Sequence, residues 1–500
     1  MNISQSTHLF PLLFLTSFII AGCVGGQVEP IELSADSATE AIVLTSTPVA
    51  TLESSGPPEP TPIPSPRADV PLAKEGPWWI LSSDKGLWAG NPDGSGLRQL
   101  TGPLNLQSNI GDGAAPSGGH LAYITGTDDV RGLTLSLLTL PSGEIRIITP
   151  LTSPESEPSL APGDESSEVA VRAIVAGKSF DWSPDGSSLA FVGVMQGPSS
   201  DLYVYSLEEQ TIARHTDGPT QAIRPIYDPL GENILHAGVA SFGSGAGADM
   251  RGFWVGRADG SEFRSLLDPS ESGDEIVVGW VDPETFLIFS WHAWGGMRDL
   301  RTINTLSGET TILWEECFDD KVALDELTGT ILLTVHQGYA NCLPDVGPGL
   351  YRVSAIDGST VHIIEDDAIL INWSDEAALF FAFTEHGLLA VDRDGNFVDL
   401  DVPEGAFGLP SVAPGSRQLA WTGESGVWIG SLTKSLDMQP IQIFDQPSRL
   451  ADWGPDGSYL LFLSWEGSLH VAQAPDFETV LVAEDLGSSR GGVSLAWIWP

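Results

Sequence analysis

The chain has 500 residues, with 22 Lys and Arg against 67 Asp and Glu, a formal net charge of −45. That balance excludes nucleic acid and direct electrostatic binding to anionic membranes, both of which need cationic patches. The acidity fits a solvated surface that keeps a protein soluble, and equally a cation binder or a salty habitat; composition does not choose among them.

In chain order, residues 9–22 (LFPLLFLTSFIIAG) form an apolar run too short to span a bilayer comfortably and placed where a signal peptide has its core. The run ends in Ile20-Ala21-Gly22-Cys23, which resembles the lipobox of bacterial lipoproteins. The resemblance implies cleavage before Cys23, lipidation of its thiol, and an extracytoplasmic protein held to the cell membrane by a lipid anchor only. The segment MNISQSTH departs from the signal-peptide pattern in having no Lys or Arg. An ordinary secretion signal with an incidental cysteine is the alternative, and on either reading the chain leaves the cytoplasm. Residues 23–75, crowded with Pro, Ser, Thr and Glu, have no hydrophobic periodicity and read as a disordered stalk.

From 76 to 500 the texture changes to short β-type runs divided by Gly, Asp and Pro turns. No helical periodicity of ten or more residues is expected there. The runs recur as a unit: FDWSPDGSSLAF at 180–191 returns as ADWGPDGSYLLF at 451–462. More worn copies begin at 225, 278, 371 and 410, and faint ones at 113 and 321. Successive anchors Trp182, Tyr227, Trp280, Leu324, Trp373, Val412, Trp453 and Trp497 lie 39 to 53 residues apart, the period of a propeller blade. In Pro-Asp-Gly, Pro fixes φ, Asp bonds back to the backbone and Gly accepts positive φ, so each copy turns tightly between two strands.

This spelling resembles the WD-like propeller repeat of TolB-type proteins, W-S-P-D-G-x-x-L-A-F followed by a second hairpin. The resemblance covers about residues 78–500 and implies an all-β chain with a single β-propeller of four-stranded blades. Eight full copies and a split one can be counted, but nine blades would be unusual; eight are expected, with seven to nine allowed. WWILSSDKGLWAGNPDGSGLRQLT (78–101) reads as strands b, c and d, and VSLAWIW (493–499) as the missing strand a, so N- and C-terminal strands should close the ring.

In a propeller the a–b and c–d turns share one face and the b–c and d–a loops the other. The long connections 150–168, 240–252, 291–299 and 336–349 all fall in the second set, and loops carry function. Cys317 and Cys342 would meet there in a disulfide, in keeping with an oxidising compartment; two unpaired thiols are the alternative. Trp291, His292, Trp294, Arg298 and Tyr339 form the most ligand-like set, because indoles stack on sugars and apolar groups; the plainer reading has these aromatics packing on the rim. No metal site or cofactor is expected: the nine histidines include no HExxH and none pairs with Cys at metal-ligand spacing. Gly487-Ser488-Ser489-Arg490-Gly491 matches a nucleophile-elbow pattern, but it precedes a strand and reads as chance. The expectation is therefore a monomeric, non-catalytic module that binds an envelope or extracellular protein or glycan, or a TolB-like scaffold. The alternative is a propeller-type polysaccharide lyase or hydrolase with its site on the long-loop face, recognisable by acids and a histidine converging at the channel mouth.

Overall fold

The computed structural model describes residues 70–127, 131–153, 165–175, 178–242, 248–267, 274–292, 296–319, 321–335, 346–374, 378–384, 387–406, 410–432, 439–487 and 493–500. Cys23, the expected signal peptide and nearly all of the expected stalk lie outside them. Among the described residues no helix is long and apolar enough to cross a membrane.

The middle strands explain the architecture. In Thr330–Val335 (TILLTV), Ile331, Leu333 and Val335 pack with Leu287 and Phe289 of the preceding sheet, while Leu332 packs with Phe380 and Leu389 of the following one. In Tyr459–Ser464 (YLLFLS), Leu460 and Phe462 face one neighbour and Leu461 and Leu463 the other. Side chains alternate across a strand, so a run that is apolar at every position must be covered on both faces. Face-to-face sheets in a ring provide that cover, and each fully buried Leu, Ile or Phe contributes about 1.5–3 kcal/mol. Outer strands such as Thr211–Arg214 (TIAR) cover less apolar surface and are exposed.

Nine sheets form the ring: eight of four strands and one of three. We number the blades from the one holding Trp78–Ser83, Gly86–Gly90 and Arg98–Gln99, whose inner strand is the C-terminal Ser494–Ile498. The register Trp79↔Trp497, Ile80↔Ala496, Leu81↔Leu495 closes the ring with both ends of the array in one sheet. Blade 2 is the three-stranded sheet His120–Thr125, Thr134–Thr139, Glu144–Pro150. Its inner strand is reduced to two isolated antiparallel bridges, Leu106↔Thr125 and Ala114↔Leu121. The blade number is nine, within the expected range of seven to nine though not the favoured eight, and both faint copies are blades.

The repeat's spelling has a structural reason. In blade 3, the Asp185 carboxylate accepts from the Ser183 hydroxyl and from the Ser187 amide and hydroxyl, while Gly186 turns at φ 72°. Gly457 of blade 9 turns at φ 69°. The Trp182 indole donates to the Gly113 carbonyl of blade 2 at 2.9 Å, and Trp453 donates to the Ser411 carbonyl of blade 8 at 3.1 Å. In the two sharp copies the tryptophan therefore ties each blade to the inner edge of the one before.

The expectation of no helix is also corrected: Glu165–Val175 is an α-helix of 11 residues, α1, between blades 2 and 3. Ala170, Val171 and Ile174 enter the core of blades 2 and 3, and Ala173 that of blades 4 and 5. A helix this short is marginal alone and is held by packing, which a reading of propensities in a Pro- and Ser-rich stretch does not reveal. Two connections read as long loops are largely strand. Asn233–Phe242 runs into Ala248–Arg257, and Thr285–His292 into Gly296–Asn304, as hairpins that lengthen blades 4 and 5.

Candidate functional site

The residues singled out from sequence are partly brought together. Trp291↔Met297, His292↔Gly296 and Ser290↔Arg298 are register partners, so Trp291, His292 and Arg298 share the tip of the blade 5 hairpin on the long-loop face. At these positions only the backbone is described. Trp294, Tyr339 and Cys342 lie outside the described residues, as do residues 488–491 of the Gly-x-Ser-x-Gly match. Cys317 is buried; its pairing with Cys342 stays an expectation.

On this face the described charged groups fasten connections. Asp201, fully buried at the start of a strand, receives Arg214 at 2.6 Å and the Thr216 hydroxyl at 3.1 Å. Burial pushes the Asp201 carboxyl up, against the pull of Arg214. Glu275, on the inner strand of blade 5, pairs with Arg301, and Asp319 accepts from the Thr334 hydroxyl at 2.6 Å. These pairs hold strand ends rather than present free chemistry.

The central channel is different. Each of the eight four-stranded sheets places its inner strand at the edge of the ladder, with one row of backbone groups toward the axis. In blade 4 that strand, Gln221–Tyr227, is broken by a bulge: Ile223 pairs with Ala237 and Ile226 with Leu235, leaving Arg224 and Pro225 opposite His236. Arg224 takes φ 51° and is exposed between buried neighbours. Sequence reading missed it, because the flanking PIYDP looked like a worn repeat.

A second feature escaped the sequence reading altogether. A cleft of about 480 Å³ opens on the opposite, short-turn face between blades 2 and 3, lined by His120, Thr139, Glu144, Arg146, Glu208 and Gln210 among others. His120 stacks near Trp182, and burial together with Arg146 lowers its proton affinity. Arg146 bonds to the Tyr205 hydroxyl and lies over its ring. These are turn and strand-end residues of two blades, and nothing in their spacing announces the groove. Among the described residues no group of three or more His, Cys, Asp or Glu is placed to hold a metal ion.

The fold and channel define the class, a nine-bladed β-propeller. No protein-family model matches the chain. A crystal structure of the eukaryotic initiation factor has TM-score 0.54 at 13% identity, covering 85% of this chain and 99% of that one, a likeness of fold alone. TolB from Acinetobacter baumannii has TM-score 0.31 at 14% identity over 57% of this chain and 62% of its own. Porphyromonas gingivalis dipeptidyl peptidase 4 has TM-score 0.45 at 9% identity over 76% and 60%. By sequence, the chain is 39% identical over 70 residues to the uncharacterized peptidase YuxL of Bacillus subtilis (strain 168), 14% of this chain. The match spans about a tenth (10%) of the length of that relative. It overturns the expectation that the protein is not an enzyme: the curated sequence it matches is described as a peptidase.

Proposed function

We propose that this propeller serves the hydrolysis of polypeptides, receiving an extended peptide at the long-loop mouth of its channel. The observation that carries the reading is the 39% identity with a described peptidase over 70 residues. The architecture supports it in two ways. The inner strands offer unpaired backbone edges, to which an extended peptide can add as a strand. The lengthened hairpins of blades 4 and 5 lie in b–c connections and so belong to the same face. A location outside the cell membrane, tethered through Cys23, belongs to the same proposal; it rests on the lipobox-like Ile20-Ala21-Gly22-Cys23.

The test is incubation of the purified full chain with a pool of peptides, following both new N-termini by mass spectrometry and retention of intact peptide. Cleavage, or saturable retention of extended peptides, is the expected result. If peptides are neither cut nor held, the proposal fails. Cleavage of a polysaccharide panel without any effect on peptides would replace it with the carbohydrate reading.

A further inference from the structure

Two cations on the inner strands or beside them have an acid at hand. Lys178 pairs with Asp181 at 2.5 Å, and Arg449 lies in the field of Asp84. Arg224 is the contrast. It makes no ion pair or hydrogen bond with a described residue, and no described carboxylate acts on it. Its environment is nonetheless crowded: burial alone pushes the guanidinium's pKa down. Its side chain is exposed while Ile223 and Pro225 on either side are buried, and both faces of the blade 4 sheet are covered by neighbouring blades. The exposure therefore comes from the channel. The backbone is also committed to this placement, since the bulge gives Arg224 a φ of 51°, a conformation that costs a non-glycine residue energy. In a chain with 22 cations and 67 acids, an exposed guanidinium on the inner strand, with no counter-charge among the described residues, is open to an anionic ligand. Guanidinium matches a carboxylate in two parallel hydrogen bonds.

We propose that Arg224 binds a carboxylate of the ligand that enters the channel, either the C-terminal carboxylate or an acidic side chain of an extended peptide. The peptide identity rests on the function proposed above; the carboxylate chemistry does not. One bidentate contact then fixes how far a chain threads into the ring.

The experiment measures binding of the full chain to a fluorescein-labelled extended peptide containing glutamates. Three twins accompany it: glutamine-substituted, C-terminally amidated, and both. Variants are Arg224→Gly, which suits the backbone conformation, and Arg224→Lys, which keeps charge without the fork; circular dichroism checks their folding. The wild type is expected to prefer a carboxylate-bearing peptide over the fully neutral twin by about tenfold to a hundredfold. Arg224→Gly should abolish that preference while leaving affinity for the neutral twin unchanged, and Arg224→Lys should retain part of it. Loss of preference on amidation alone assigns the terminal carboxylate; loss with glutamine alone assigns the side chain. A preference that survives Arg224→Gly, or none in the wild type, overturns the inference. If no peptide binds but trigalacturonate does, and Arg224→Gly releases it, the carboxylate site stands and the peptide reading falls. If neither probe binds, both fall.

Discussion

Trp79 of the first described strand and Trp497 of the last are register partners in one sheet, so the two ends of the array are hydrogen-bonded to each other. Trp79 is fully buried and its indole donates to the Asn91 carbonyl at 2.6 Å. Ile498, also on the closing strand, is fully buried. Ile498→Ala should cost about 2–4 kcal/mol of stability in urea denaturation. Removing residues 494–500 should expose the edge of Trp78–Ser83 and produce aggregates in gel filtration. A truncated chain that stays monomeric with an unchanged midpoint would contradict closure by these strands.

The inter-blade tie made by the repeat tryptophan gives a paired prediction. Trp182→Phe and Trp453→Phe each lose a hydrogen bond to the preceding blade, worth about 1 kcal/mol beyond the change in size. Trp280, at the same repeat position, has an indole N–H with no partner among the described residues, so Trp280→Phe should cost less than either. Denaturation midpoints of the three variants, measured side by side, check the order.

Asp325 and Arg393 join blades 6 and 7 on the short-turn face. The guanidinium reaches the fully buried carboxylate at 2.5 Å and lies over the Trp373 ring at 5.3 Å. Arg393→Ala leaves a buried carboxylate without its partner and should destabilise by about 3–5 kcal/mol. The double variant Asp325→Ala/Arg393→Ala should recover part of that loss. Equal destabilisation in the single and double variants would show that the charge is not the cause.

Acid sensitivity follows from two buried histidines. Burial lowers His236 and His470 from the ordinary 6.5 to about 4. Between those values the unfolded chain takes up protons that the folded chain refuses. Their contribution is therefore complete above about pH 6.5, falls as pH drops toward 4, and is constant below. The loss is on the order of 3 kcal/mol per histidine. The slope of melting temperature between about pH 7 and pH 4 should flatten in the double variant His236→Leu/His470→Leu; an unchanged slope would assign the acid sensitivity to carboxylates.

Much of the fold was legible because a propeller spells its blade repeatedly. Phe180–Phe191 and Ala451–Phe462 carry turn, anchor and two-faced strand together. The blade count was harder. Blade 2 has only isolated bridges at Leu106 and Ala114 where others have a strand, and blade 6 is anchored by Leu324 in place of an aromatic. The helix α1 was hidden because its stability comes from packing against the cores of blades 2 to 5, not from local propensity. The site was less legible still. Trp291, His292 and Arg298 could be placed on one tip by hairpin logic, but Arg224 depends on a bulge. The cleft at His120 and Arg146 depends on two blades meeting. Neither leaves a local pattern. The expectation that the protein is not an enzyme rested on missing motifs, and a missing motif says little when the chemistry of a site can come from convergence in space.

The most direct test of channel binding is hydrogen–deuterium exchange of the full chain with and without a saturating extended peptide carrying glutamates. The account predicts slowed exchange on the inner strands, above all Gln221–Tyr227, and on the hairpin joining Thr285–His292 to Gly296–Asn304. Protection confined to the short-turn cleft at His120, Glu144 and Gln210, with the inner strands unchanged, would contradict it.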